Sequence, residues 1–222
     1  MSRHLIDLSL PVQEHWRFKS ELTPLTSLSA GDHAAHTRIT LGSHTFTHVD
    51  APAHMIPGGA TLDQVPLDRY WGEAAILNLR DHPDNQPITA NLLQQRGKHL
   101  KEGDIALLCS GLGDRHPILG RDFWLRSPWL DRGAAEWLRE RGVKGVGYDF
   151  PQDQVIRRLP DPSLVLADFP AHQVLLEAGI VQIEYLVNLS QVEAERVLFL
   201  ALPLSLGAVD GSPCRAVALV EA

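Results

Sequence analysis

From Thr89 onward the chain repeats one grammar three times: a helical pattern is closed by glycine and followed at once by a short apolar run. Thr89 is placed to cap a helix running through Arg96, Gly97 ends it, and Asp104 to Cys109 forms the strand. Ala134 to Arg141 is followed by Gly142 and then by a strand within residues 143–149. Pro170 opens a third helix through Ala178, Gly179 closes it, and Ile180 to Glu184 follows. Repeated helix-to-strand units predict an α/β fold with helices packed on a sheet. Strands are further expected over residues 4–10 and 36–42, within residues 70–79 after an entering turn, and in the apolar runs Val197 to Leu204 and Arg215 to Val220. Residues 12–26 read as an irregular stretch, in which the aromatics Trp16 and Phe18 either line a pocket or anchor a loop. With no linker and no low-complexity segment, residues 1–222 are expected to form one domain, within the size a single core can serve.

Charge narrows the function. With 27 acidic against 20 basic residues the net charge is −7, which argues against nucleic acid or an anionic membrane as the main partner and leaves a small molecule. The N-terminus lacks the long apolar core and small-residue cleavage site of a secretory signal, and no run approaches a membrane span, so a cytoplasmic enzyme is expected. Cys109 and Cys214 are too few and too far apart for a disulfide framework and read as reduced thiols.

The densest chemistry lies in Ser43 to His54, where His44, His48, Asp50 and His54 fall within eleven positions. Two imidazoles and a carboxylate form the ligand set of many catalytic divalent-metal sites. A straight strand would spread residues 44–50 over roughly 20 Å, too far for one ion, so the segment must curl. A helix would bring His44 and His48 together, but Thr45, Thr47 and Val49 are β-branched and Pro52 follows, which favours a bent strand end or loop. The run Ile56 to Ala60 after it is turn chemistry, equally fitted to a ligand-facing loop or a plain reversal. Glu184 ends an apolar strand and needs a partner for its charge: a cation shared with His172 from the preceding helix, or an arginine.

The cluster resembles the H-x-G-T-H-x-D-x-P-x-H motif of the metal-dependent hydrolases called the cyclase family, which includes bacterial kynurenine formamidases and isatin hydrolases. Further landmarks follow in order: Gly59 to Asp63, Gly145 to Asp149, the His172 to Glu184 unit with Asn188-Leu189, and Leu202 to Leu204 with Asp210 to Pro213. The resemblance implies the family's swivelling β/β/α fold, with dimers or tetramers in which neighbouring subunits complete the pocket. It implies one or two divalent ions, zinc first and manganese next, with His44, His48 and Asp50 on one. Asp50 then bridges to a second ion held by His172 and Glu184, which stand twelve residues apart. His54 takes the place of the family's acid–base residue. One departure is plain: Phe46 stands where the motif has glycine. An extended backbone is expected there, since a phenylalanine with positive φ would be strained, and its ring, with Trp16, is a candidate to shape the substrate pocket.

The activity so implied is hydrolysis of an amide, formamide or cyclic amide C–N bond. A cyclase or lactonase of the same family is an alternative, and so is a metal- or small-molecule-binding module that has lost catalysis, with Phe46 as its mark. A Ser-His-Asp hydrolase lacks its G-x-S-x-G elbow here, and Gly111-Leu112-Gly113 lacks the rest of a dinucleotide fingerprint.

Overall fold

The computed structural model describes residues 3–221. In chain order the elements are β1 (Arg3–Asp7), β2 (Ser20–Thr26), β3 (His36–Leu41), β4 (His48–Asp50), β5 (Trp71–Asn78), β6 (Pro87–Ile88), α1 (Ala90–Arg96), β7 (Ile105–Cys109), α2 (Leu112–Arg115), α3 (Arg121–Arg126), β8 (Trp129–Leu130), α4 (Arg132–Glu140), β9 (Gly145–Tyr148), α5 (Pro170–Glu177), β10 (Val181–Glu184), β11 (Arg196–Pro203) and β12 (Gly211–Glu221). The three helix–glycine–strand units are α1–β7, α4–β9 and α5–β10. Each is the crossover that joins two parallel strands, because a tight turn can join only antiparallel ones. Thr89 does cap α1, its side chain accepting from the Leu92 amide.

Eight strands share one sheet in the order β1-β12-β11-β5-β7-β9-β10-β4. Because β4 also pairs with the start of β12, seven of them close into a barrel-like ring, with β1 laid along the far part of β12. Alternation along each strand divides the core in two. Ala74, Ile76, Ile105, Leu107 and Ile183 join one buried cluster on the face away from the helices. Ala75, Leu77, Ala106, Leu108 and Val146 join a second, with Leu93 of α1, Leu138 of α4 and Leu175 of α5.

That alternation also aims the chemistry. β10 and β4 pair with Gln182 opposite Asp50, Ile183 opposite Val49 and Glu184 opposite His48. Val49 and Ile183 both enter the first cluster, so His48, Asp50, Gln182 and Glu184 turn to the other face, toward α5 and His172. A register slip of one residue would bury the apolar pair's places with charge and scatter the group.

One expectation is corrected. Within residues 12–26, Ser20–Thr26 is a strand, paired antiparallel with His36–Leu41 as a hairpin beside the main sheet. Most of its residues are exposed on both faces, so no core demands an apolar alternation, and Pro24 interrupts the pattern. Both signals of a strand are therefore weak in the sequence.

Candidate metal centre

The turn between β3 and β4 curls as the ligand argument requires. Thr47 anchors it from inside, its hydroxyl donating to the Tyr185 carbonyl at 2.7 Å and accepting from the Leu10 amide at 2.8 Å. Phe46 departs from expectation: its φ is 57°, the left-handed region, and not extended. The strain of such a residue is roughly 1–2 kcal/mol. It is offset by burial of the ring, which is 1% exposed and packs on Phe18 with centroids 5.2 Å apart. The ring thus faces the core and does not shape the pocket. A Phe46→Gly variant relieves the strain but forfeits about 3–5 kcal/mol of core packing, so a net loss of about 2 kcal/mol is expected in chemical denaturation.

Trp16 is likewise not in the wall of the cleft above the cluster. It is half-exposed, set edge-on to Trp124 at 6.0 Å with the Arg121 guanidinium over its ring at 4.6 Å. The side chains that do line that cleft, about 510 Å³ in volume, include Arg17, Phe18, Phe169 and Tyr185, with His44, His48, His54, His172 and Glu184 below.

Asp50 lies at the centre of the floor and is fully buried. Its Oδ1 is 2.7 Å from His44 Nδ1 and 3.2 Å from His48 Nε2, and its Oδ2 is 3.7 Å from His172 Nε2. Glu184 meets the same groups from β10, with Oε1 3.1 Å from His172 Nε2 and Oε2 3.7 Å from His48 Nε2. The partner of Glu184 is therefore imidazole, with the Gln152 amide, and not an arginine.

Tautomers sharpen the picture. A carbonyl can only accept, so His48 Nδ1 donates to the Phe46 carbonyl at 2.8 Å and its Nε2 carries the lone pair. His172 Nδ1 donates to Asp153 Oδ2 at 2.5 Å, so in its neutral, ion-binding form Nε2 likewise carries the lone pair. Two nitrogen lone pairs thus face two carboxylates, and Asp50 Oδ2, buried, has no hydrogen-bond partner at all. Acceptors facing acceptors in a dry pocket repel unless a cation lies among them. Imidazole and carboxylate donors of this kind suit zinc, manganese or a similar divalent ion. Without one, protons take the cation's part. Burial pulls His172 down, but Asp153 and Glu184 outweigh it and hold it well above the ordinary histidine value, while Asp50 falls well below the carboxylate range despite its burial. His44 behaves in the same way: burial is outweighed by the hydrogen bond to Asp50, which raises it to about 9.

His54 comes from the turn Pro52–His54 just past β4 and stacks on His44, with ring centroids 3.6 Å apart. Burial, with the nearby His44 and His172, pushes its pKa down to about 4 against the pull of Asp50. It is therefore a neutral base at pH 7.

Two further carboxylates contact the cluster. Asp210, half-exposed just before β12, lies 3.0 Å from His44 Nε2 and 4.0 Å from His54 Nδ1, so it braces both rings. Its motif was recognisable, but not its role. Asp153 accepts from the Ala171 and His172 amides at 2.8 and 3.2 Å as well as from the His172 ring, so one carboxylate starts α5 and orients its histidine. Nothing local marks it, for it stands nineteen residues from its partner. An Asp153→Ala variant should bind metal about 10- to 100-fold more weakly, read by chelator competition.

A closed sheet that gathers three imidazoles and two carboxylates with a neutral histidine at the foot of an open cleft defines the class of metal-dependent hydrolases. A profile of the family described as Putative cyclase matches residues 6–152. A kynurenine formamidase of Salinibacter ruber is 33% identical over 185 residues, covering 81% of this chain and 77% of the relative. One from Bordetella petrii is 28% identical over 93% of this chain and 87% of its own. Among solved structures, isatin hydrolase A of Ralstonia solanacearum superposes with a TM-score of 0.79 at 25% identity, covering 99% of this chain and 92% of that one. The chain belongs to the cyclase family, and its closed α/β sheet is the family's fold.

Proposed function

We propose that this protein is a hydrolase of non-peptide C–N bonds, an arylformamidase-like enzyme that cleaves an amide, formamide or cyclic amide with the help of a divalent ion. The observation that carries the reading is the floor of the cleft, where Asp50 Oδ2 is buried without a donor and two imidazole Nε2 atoms point at carboxylates. The names of the relatives support it: kynurenine formamidases by sequence and isatin hydrolase by structure.

In this reading His44, His48 and Asp50 would hold one ion and His172 and Glu184, with Asp50, would hold a second, with zinc first and manganese next. An ion so held would supply activated water, its pKa lowered to about 7, and would polarise the substrate carbonyl. The chain's own part is to position and to move protons. Asp153 and the Phe46 carbonyl fix the His172 and His48 tautomers. Gln152 and Gln182, both buried, hydrogen-bond to each other on the same floor. His54, neutral and facing the cleft, takes a proton from the attacking water and returns it to the leaving nitrogen. Phe18 and Tyr185, both buried, give the cleft an apolar wall beside that floor.

Metal analysis of protein purified without added metal, followed by a screen of the metal-loaded protein against aryl formamides, cyclic imides and lactones, tests this. Bound divalent metal with turnover of a C–N substrate supports it. Lactone turnover alone, or tight ligand binding without turnover, overturns it.

Assembly and location belong to the same proposal. The β2–β3 hairpin leaves Leu22, Leu25, Leu28 and Ile39 exposed, each at least 48%, on an element too small to be stable alone in water. Covering it with a second copy in a homodimer or homotetramer answers that exposure, and light scattering reads the mass. Among the described residues no helix is long and apolar enough to cross a membrane. The free thiols Cys109 and Cys214 support a cytoplasmic site of action, which cell fractionation tests.

A further inference from the structure

The cleft has one wall that hydrolysis itself does not require. Arg17 stands in it beside Phe18, Phe169 and Tyr185, and histidines apart it is the single cation among the lining residues described. Its guanidinium is held in advance of any ligand. It lies 4.4 Å from the Trp124 ring centroid and donates to the carbonyls of Ile156 at 2.9 Å and Leu159 at 3.4 Å. No carboxylate among the described residues pairs with it. A guanidinium has five N–H donors, so this one keeps unused donors in a wall otherwise built of rings and apolar side chains.

Rings accept a flat apolar body, and an arginine fork accepts a carboxylate in two parallel hydrogen bonds. The floor reinforces the choice of orientation. Reaction requires the scissile amide to lie over His54 and the ligand cluster on the floor, so a ligand carrying both ends presents its carboxylate to the wall at Arg17. We propose that Arg17 determines specificity by receiving the carboxylate of an aromatic amide substrate while the scissile C–N bond lies over the histidine floor. This rests on the hydrolase reading, which it deepens by naming the substrate class as anionic.

The experiment compares an aryl formamide bearing a ring carboxylate with its carboxamide analogue, on metal-loaded wild type, Arg17→Gln and Arg17→Lys. Glutamine keeps an amide donor without the charge, and a melting curve checks that the loop is intact. Wild type is expected to favour the acid by about 10-fold in kcat/KM, the lower end for loss of a charge-assisted hydrogen bond, and mainly through KM. Arg17→Gln should lose that preference, its fall on the acid exceeding its fall on the carboxamide by about 10-fold. Arg17→Lys should keep part of the preference. An absent preference in wild type, or an equal fall on both substrates in Arg17→Gln, overturns the proposal. A second measurement is independent of turnover: calorimetry of benzoate and benzamide on metal-free protein, with tighter benzoate binding that disappears in Arg17→Gln as the expected result. Benzoate binding that is no tighter, or that ignores the substitution, sinks the assignment. If neither formamide is cleaved but benzoate still discriminates, the hydrolase reading fails as to the reaction and Arg17 stands as the anion-binding residue.

Discussion

A His54→Ala variant is expected to retain its full complement of metal and to lose about 10²- to 10⁴-fold in kcat, the range for removal of a general acid–base group. The separation of the two effects follows from position. His54 stacks on His44, and among the described residues it approaches no carboxylate oxygen closer than the 4.0 Å to Asp210, so its loss leaves Asp50 and Glu184 with their other imidazoles. Its pH signature is also distinctive. Burial is the largest influence on His54, and the charge of Asp50 is the main influence opposing it. A divalent ion on Asp50 cancels that opposition, so the imidazole stays neutral at least down to a pH of about 4. The acid limb that belongs to His54 should therefore lie near or below 4, and not at the ordinary histidine value of about 6.5. Because its folded pKa is depressed, His54 also makes the fold less stable as pH falls below about 6.5, since the unfolded chain binds that proton first. Metal content and kcat measured on the same preparations decide the point. Full activity in the variant removes His54 from the mechanism.

Replacing Asp50 by Asn should abolish metal binding at the shared position. An amide cannot neutralise a divalent charge, and Asp50 is the carboxylate that touches imidazoles from all three contributing segments: His44 of the turn, His48 of β4 and His172 of α5. The large effect appears in stability as well as in rate. At a thousandfold excess over its dissociation constant a bound ion stabilises the fold by about 4 kcal/mol, and that increment should be present in wild type and missing from Asp50→Asn. Melting curves with and without added zinc read it directly. A zinc-induced shift as large in the variant as in wild type would place the ion elsewhere.

How far these expectations were legible beforehand depends on distance along the chain. The helix–glycine–strand units became the crossovers of the parallel strands because caps, glycines and apolar periodicity act within a few residues of one another. Of the hairpin at residues 20–41 only the second strand is legible in the sequence, because an exposed element has no core to impose alternation. Phe46 shows a different limit. Its side chain argued for extended backbone, yet the closing of the turn between β3 and β4 set φ at 57° and core burial of the ring offset the strain. The aromatic next to the cluster in sequence therefore turned away from the cleft. Arg17 and Phe18, one and two residues past Trp16, turned toward it.

Residue types and local spacing were enough to single out candidates: three histidines and an aspartate in one short stretch, and a histidine and glutamate on one helix–strand unit. Their convergence was decided by the fold alone, through the pairing of β4 with both β10 and β12. The same holds for Asp153, Asp210 and Arg17, whose partners lie far along the chain. Side-chain chemistry and local conformational preference are written residue by residue, whereas strand register is a property of the closed sheet, set by the burial of Val49 and Ile183 on its opposite face.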